Sequence, residues 1–278
     1  MATTDIYHIV GSLAPARKAF KNIGGDTNDY LQVNAAAVAL VAADVAQGTF
    51  SAWINMPNIT GTFCILCAAD DNVVEFLELN VEAGLLTMRC TDATTAQFVT
   101  QADAVSFRPH RWYHVAAVQA ADGVGVKLYV NGVRIAATND TTTDVNEWFV
   151  NLDGIDTMRI GAANKAGDAT VTNEFSGAIS DVKIWSTALT AAQVLDDYNG
   201  NGPASATLEN HWAMDDDYTD LGLGADTGTA VGDILLVNNY SEFSSRLHFM
   251  PAARAVVADL MVVSCNETQG HAVIIKAA

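Results

Sequence analysis

Two glutamates in the segment 73–82, Glu75 and Glu78, are of a residue type that could support hydrolysis of a glycosidic bond. This reaction needs two carboxyl groups that project from one face at a fixed separation. The alternating apolar residues around the two glutamates predict a strand, in which side chains three residues apart point to opposite faces. The spacing therefore argues against a catalytic pair, and we predict that the protein is not an enzyme.

The histidines and cysteines are not spaced as metal ligands either. His110 and His114 lie four apart, which suits a metal only on a helix, but Pro109 and the following alternation predict a strand. Cys64 and Cys67 form a single Cys-x-x-Cys without a second pair, and in a strand their thiols would point to opposite faces. We interpret these cysteines as buried small apolar residues.

A surface that binds sugars uses exposed aromatic rings. Trp53, Trp112 and Trp185 lie inside alternating segments, which predicts core positions for them. Trp148 lies in the polar stretch 144–151 and is the better candidate for an exposed ring. We therefore predict Trp148 as the ligand-binding aromatic residue.

The formal net charge of −18, with only 14 Lys plus Arg, excludes a basic surface for nucleic acid or for an anionic membrane. The segment from Met1 to Val10 has no positively charged start and no following apolar run, so no secretory signal is visible. The most apolar early stretch, residues 35–43, is too short and too rich in Ala to span a bilayer. We expect no membrane insertion and a location on a virion surface or outside the cell.

Frequent Gly, Asn, Asp and Thr residues divide the chain into short segments, which predicts many short strands. The dipeptide Asn131-Gly132 between two apolar segments predicts a two-residue hairpin. Alternation over residues 178–185 predicts a half-buried strand, with Val182 and Ile184 on one face and Asp181 and Lys183 on the other. Thr190 and Gln193 then form a capping box, which predicts one short helix that ends near Asn199.

Several motifs in a fixed order resemble the laminin-G-like, concanavalin-A-like jelly-roll family in its pentraxin-related form. They are 24–33, 48–54 (GTFSAWI), 111–118 (RWYHVAAV), 128–133 (LYVNGV), 158–161 (MRIG) and 175–198. The resemblance implies an all-β fold, a two-sheet antiparallel jelly-roll sandwich with one short helix. We predict an N-terminal arm at 1–21, the jelly roll at 22–237 and a β-rich C-terminal extension at 238–278, which packs either on the sandwich or on a neighbouring subunit.

The resemblance also implies a structural calcium ion. In the resembled superfamily such an ion ties an early Gly/Asp turn to an Asp in the last long strand, and the matching positions are Gly25, Asp26 and Asp181. Oxygen ligands of this kind suit a hard cation. The hydrolase branch of the superfold carries a Glu-x-Asp-x-x-Glu run, which this sequence does not match because Leu77 and Leu79 stand where acids are needed.

The resulting functional prediction is a non-catalytic, lectin-like binding protein displayed on a larger assembly, such as a virion surface or capsid decoration that contacts host glycans. The alternative is an extracellular carbohydrate-binding or glycosidase-like protein. The predicted partners are a protein assembly and glycans, with homo-oligomers formed through the terminal arms. Calcium is the one cofactor that this reasoning implies.

Overall fold

The computed structural model describes residues 18–22, 28–165, 171–202, 207–238, 260–266 and 271–276, with side chains for 28–165, 171–202 and 207–236. The chain divides into two compact units. One comprises residues 18–237, and the other comprises 1–17 with 238–278. In the second unit the structure describes an antiparallel hairpin of β17 (Leu260–Asn266) and β18 (His271–Lys276).

Residues 18–238 form two eight-stranded antiparallel sheets. The first sheet has the spatial order β10 (Val133–Arg134), β9 (Lys127–Val130), β8 (Trp112–Gln119), β3 (Gly48–Asn55), β13 (Ala178–Trp185), β1 (Lys18–Asn22) and β16 (Ile234–Asn238), and β14 (Leu208–Trp212) also pairs with β13. The second has the order β11 (Ala137–Thr142), β7 (Thr95–Ala102), β6 (Leu85–Asp92), β5 (Phe76–Glu82), β4 (Thr62–Ala69), β12 (Thr157–Ile160), β2 (Tyr30–Gln32) and β15 (Thr229–Val231). The predicted jelly-roll sandwich is confirmed.

One apolar core joins the two sheets. Phe50, Ile54 and Ile179 enter it from the first sheet, while Leu77 and Phe98 enter it from the second. Because side chains alternate along a strand, each sheet also has a face that points away from this core. Those two outer faces carry the polar groups described below.

The predicted short helix is α2 (Ala191–Tyr198), and its capping box is formed as expected. Gln193 N–H donates to Thr190 Oγ1, and Thr190 N–H donates to Gln193 Oε1 at 2.8 Å. The Asn131-Gly132 hairpin is also confirmed, since both residues have positive φ between β9 and β10.

The expectation of a single helix is wrong, because α1 (Asn34–Ala42) precedes β3. It has no side-chain cap, and it is apolar around its whole circumference, so no helical period marks it in the sequence. Burial of Ala36, Ala37 and Leu40 in the core stabilises it instead. A short 3₁₀ turn, Phe149–Asn151, follows β11. Neither α1 nor α2 has the length and apolar character needed to cross a membrane.

Candidate ligand-binding face

The outer face of the second sheet carries a set of polar side chains in its central strands. On β5, Leu77, Leu79 and Val81 enter the core, so Glu78, Asn80 and Glu82 project from the other side. On β6 and β7 the same alternation places Thr87, Arg89 and Gln101 on that side. We call these six residues the polar face.

The strand register brings the members of the polar face into rows. Asn80 lies opposite Thr87, and Thr87 lies opposite Gln101. Glu78 lies opposite Arg89 in the neighbouring row. Directly opposed side chains have Cβ atoms about 5 Å apart, so each row is a contiguous surface.

The most accessible part of the polar face is an ion pair with an adjacent amide. Arg89 pairs with Glu82, and their side chains are 27% and 37% exposed. Gln101 Nε2 donates a hydrogen bond to Thr87 Oγ1 at 3.0 Å and contacts Glu82 Oε2 at 3.5 Å. A ligand in solution would meet the side chains of Glu82, Arg89 and Gln101 first.

Glu78 is a buried carboxylate with defined partners. Lys165 Nζ lies 2.5 Å from Glu78 Oε2, and Asn173 Nδ2 donates to Glu78 Oε1 at 3.3 Å. Lys165 also lies over the ring of Phe76 at 5.4 Å from its centroid. Asn173 thus holds one oxygen of Glu78 by a hydrogen bond, and the ammonium of Lys165 balances the charge of the carboxylate.

Among the residues that the structure describes, neither atom of the Asn80 amide has a hydrogen-bond partner, and its side chain is completely buried. The guanidinium Nε of Arg89 is likewise buried without a partner in that part of the chain. A buried polar group without a partner costs about 1–3 kcal/mol, and such groups in native proteins call for an explanation. The polar face therefore concentrates hydrogen-bonding capacity that the described protein residues do not use.

The segment that follows β12 packs on this face beside β4. Cys64 N–H donates to Asn173 O at 2.7 Å, and Ala163 packs in a small apolar cluster with Cys64, Cys67 and Phe76. The expectation that the two cysteines point to opposite faces is thus wrong. A register shift between Cys64 and Leu66 adds one residue to β4, which turns both thiols outward.

The side chains of Glu75 and Glu78 lie apart, as the spacing of three residues predicted. Glu75 accepts a hydrogen bond from Gly154 N–H at 2.9 Å, at one end of the sandwich. Burial is the main cause that raises the pKa of Glu75 to about 6, and the nearby carboxyl of Asp92 adds to it.

Glu147 is a second carboxyl with a raised pKa. Burial is the main cause and the charge of Asp144 adds to it, which brings the pKa of Glu147 to about 7. Glu147 Oε2 has no partner among the described residues.

The outer face of the first sheet holds a buried ionic network beneath α2. Asp197 accepts hydrogen bonds from Lys183 Nζ at 2.7 Å, Ser51 Oγ at 2.8 Å and His114 Nε2 at 2.9 Å. Burial alone would raise the pKa of Asp197, but the hydrogen bond from His114 and the charge of Lys183 lower it to about 2. Because α2 covers this face, the prediction that β13 is half-buried is wrong, although Val182 and Ile184 do enter the core.

Asp181 belongs to the same network. Its Oδ2 accepts from Lys183 Nζ at 2.9 Å, and its Oδ1 lies 2.6 Å from His211 Nε2. The other two residues of the predicted calcium site, Gly25 and Asp26, lie outside the described residues, so this site stays a prediction. In the part of the chain that the structure describes, no group of three or more His, Cys, Asp or Glu side chains is placed to hold a metal.

Trp148 does not form part of a binding surface, contrary to the prediction. Its side chain is 1% exposed, and it packs against Phe50 and Phe149 with ring centroids 4.9 and 5.7 Å away. The polar residues around it form a loop, and the tryptophan turns inward from that loop. The ring therefore stabilises the core and is not available to stack on a sugar.

Sequence comparison places this arrangement in a known family. The profile of the concanavalin A-like lectin/glucanases superfamily matches residues 25–195. The chain belongs to this superfamily. The predicted family is therefore confirmed, and no curated protein matches the chain itself.

Solved structures share the superfamily fold. A candidate carbohydrate-binding protein from Bacteroides ovatus has a TM-score of 0.54 at 20% identity, over 81% of this chain and 60% of that protein. The CBM40 of Ruminococcus gnavus IT-sialidase bound to α2,3-sialyllactose has a TM-score of 0.51 at 14% identity, over 64% and 97%. The leech intramolecular trans-sialidase has 0.52 at 16%, over 66% of this chain and 28% of the enzyme. At these identities the likeness concerns the fold.

Sequence reasoning missed most members of the polar face. Asn80, Thr87, Arg89 and Gln101 lie on three strands, and each is an ordinary polar position of an alternating strand. A signal was present in the alternation itself, because residues 76–82 place three polar groups on one side. What alternation does not reveal is that this side is largely buried.

Proposed function

We propose that the protein binds carbohydrate on the polar face and does not hydrolyse it. The observation that carries this proposal is the buried amide of Asn80, whose donor and acceptor both lack partners among the described residues. A sugar hydroxyl both donates and accepts, so it suits a side chain with both functions. Support for the ligand class comes from the CBM40 bound to sialyllactose and from the candidate carbohydrate-binding protein, which share the fold.

The charges of the face favour a neutral glycan. Arg89 of the polar face and the adjoining Lys165, both a fifth or more exposed, are already paired with Glu82 and Glu78. A carboxylate of an acidic sugar would have to displace one of these partners, and the net charge of −18 opposes its approach. We therefore expect neutral oligosaccharides to bind more tightly than sialylated ones.

The spacing of the carboxylates supports binding without catalysis. Glu78 and Glu82 share the outer side of β5, and four residues of a strand span about 14 Å. Glycoside hydrolysis needs carboxyl groups about 5–10 Å apart across the scissile bond. In addition, both carboxylates are engaged in ion pairs.

The deciding experiment compares Asn80→Ala with the wild-type protein on a glycan array and by calorimetry with the best neutral oligosaccharide. Removal of an amide without partners should leave the free energy of unfolding unchanged or raise it. Binding should weaken by at least about tenfold, which corresponds to 1.4 kcal/mol. A structural amide would show the opposite, with lost stability and unchanged binding.

Two ion pairs provide the matched control. Arg89→Ala removes a pair on the polar face, whereas Lys127→Ala removes the exposed pair with Asp122 on the first sheet. Only Arg89→Ala should weaken binding. Equal effects of the two variants, or release of reducing sugar from the oligosaccharide, would contradict the proposal.

Two finer predictions accompany this proposal. Display on a virion or another larger assembly is tested by electron microscopy of native particles, where density for free protein alone would count against it.

A structural calcium ion at Gly25, Asp26 and Asp181 is tested by adding EDTA. Lower thermal stability that calcium restores, and that is absent in Asp181→Asn, is the expected result.

A further inference from the structure

The Cys-x-x-Cys of β4 is held in an unusual geometry. Cys64 lies opposite Asn80 and Cys67 lies opposite Glu78, although the cysteines are three positions apart and their partners are two positions apart. Ile65 and Leu66, between the cysteines, both enter the core. The extra residue therefore places the two thiols side by side on the outer face, as if they were two residues apart.

The two thiols lie in one small apolar cluster on the outer side of β4. Cys67 Sγ lies 3.9 Å from the carbonyl oxygen of Asn164. Both cysteines are free and buried beside Phe76 and Ala163. The pair is thus a preformed dithiol with an apolar wall.

The backbone spacing is at the upper limit for a direct sulfur–sulfur bond. Two residues of the partner strand span about 6.8 Å, and the Cα atoms of a disulfide usually lie about 4.4–6.8 Å apart. A metal between the sulfurs relaxes this requirement. With metal–sulfur bonds of about 2.3 Å, the sulfurs lie about 4.6 Å apart in a linear arrangement.

We propose that Cys64 and Cys67 form a two-coordinate site for a soft monovalent cation of the copper(I) class. Thiolates select soft metals, and copper(I) accepts two thiolates. Zinc is disfavoured because it requires four ligands, and the described residues contain no group of three or more His, Cys, Asp or Glu that could hold a metal. The site adjoins the polar face but does not depend on its binding glycans.

Binding replaces protons by the metal. Burial raises the pKa of the Cys64 thiol. The step converts two thiols and one M⁺ into an S–M–S unit with a charge of −1 and two released protons. The ammonium of Lys165, 22% exposed beside the pair, offsets part of this charge.

The test uses the full-length chain in a Cys265→Ser background, so that only the three described thiols remain. Silver(I) in chloride-free buffer and copper(I) with a competing chelator are titrated, and stoichiometry is read by native mass spectrometry. One metal per chain is expected, with protons released as the thiolates bind the metal. X-ray absorption should show two sulfur neighbours and no further ligand.

Cys90 provides the matched control, because it is buried and free but enters the core from β6. Cys64→Ala and Cys67→Ala should each lower the affinity by at least 100-fold, while Cys90→Ala should not change it. Far-ultraviolet circular dichroism of each variant confirms that it is folded. Three results would overturn the proposal. One is a stoichiometry that follows the number of thiols, and another is retained binding in Cys64→Ala. The third is a mass loss of 2 Da in mild oxidant, which would show a Cys64–Cys67 disulfide.

Discussion

Replacement of Asp197 by Asn should strongly destabilise the protein, because this carboxylate joins α2 to the first sheet. Its side chain is 1% exposed and accepts hydrogen bonds from Ser51, His114 and Lys183. Lowering the pKa of Asp197 from its ordinary 3.8 to about 2 corresponds to about 2.4 kcal/mol. Removal of one partner of a buried charge pair typically costs about 3–5 kcal/mol. We therefore expect a loss of about 3 kcal/mol.

The assay is equilibrium urea unfolding at pH 7, with Asp196→Asn as the matched control. Asp196 precedes Asp197 in α2 and is exposed, so its replacement should change the free energy of unfolding by less than about 0.5 kcal/mol. A larger loss for Asp197→Asn, at an unchanged dependence on urea, supports the network. Equal effects of the two variants would refute the reasoning.

The same network predicts the direction of acid unfolding. Because the folded-state pKa of Asp197 lies below its unfolded value, its contribution is complete above about pH 4 and is lost as the pH falls towards 2. The wild-type protein should lose this increment over that interval, while Asp197→Asn should not. Thermal unfolding from pH 5 to pH 2 measures the difference, and parallel curves for the two proteins would contradict it.

Three further predictions concern other parts of the sandwich. Burial raises the pKa of Glu147 to about 7, so the contribution of this residue to stability is largest below pH 4.5 and is lost as the pH rises through 7. Glu147→Gln should therefore raise Tm at pH 8 by about 2–4 °C and leave Tm unchanged at pH 4.5. Trp148→Ala should cost about 3–5 kcal/mol in urea unfolding while glycan binding by the folded fraction persists, and lost binding at full stability would restore Trp148 as a ligand residue. Thr190→Ala should cost about 1 kcal/mol through loss of the capping box, and Thr190→Ser should retain most of it; equal losses would show that the hydroxyl does not cap α2.

Local signals in the sequence were sufficient for much of the fold. The Thr190 and Gln193 pair predicted the start of α2, and Asn131-Gly132 predicted the β9–β10 hairpin. Each of these features depends on hydrogen bonds or dihedral angles within a few residues. Alternation likewise predicted that Val182 and Ile184 face the core.

The candidate site was less accessible to the same reasoning, because burial is set by residues that are distant in the chain. Trp148 has polar neighbours in sequence, yet Phe50 and Phe149 surround it in the fold. Lys183 alternates with apolar residues as an exposed residue would, yet α2 brings Asp197 over it. In both cases a second layer decided whether a face meets water.

The sequence by itself determined the superfamily, the sandwich and the capped helix, since those follow from short-range patterns and an ordered set of motifs. Only the tertiary structure decided which outer positions are buried and which side chains meet. The extra residue in β4 is the clearest example: pairing with β5 turns Cys64 and Cys67 to the same side, and no periodicity within β4 requires it. Strand pairing and packing are cooperative properties of the whole domain, and they bury Asn80, a member of the polar face, without a hydrogen-bond partner among the described residues.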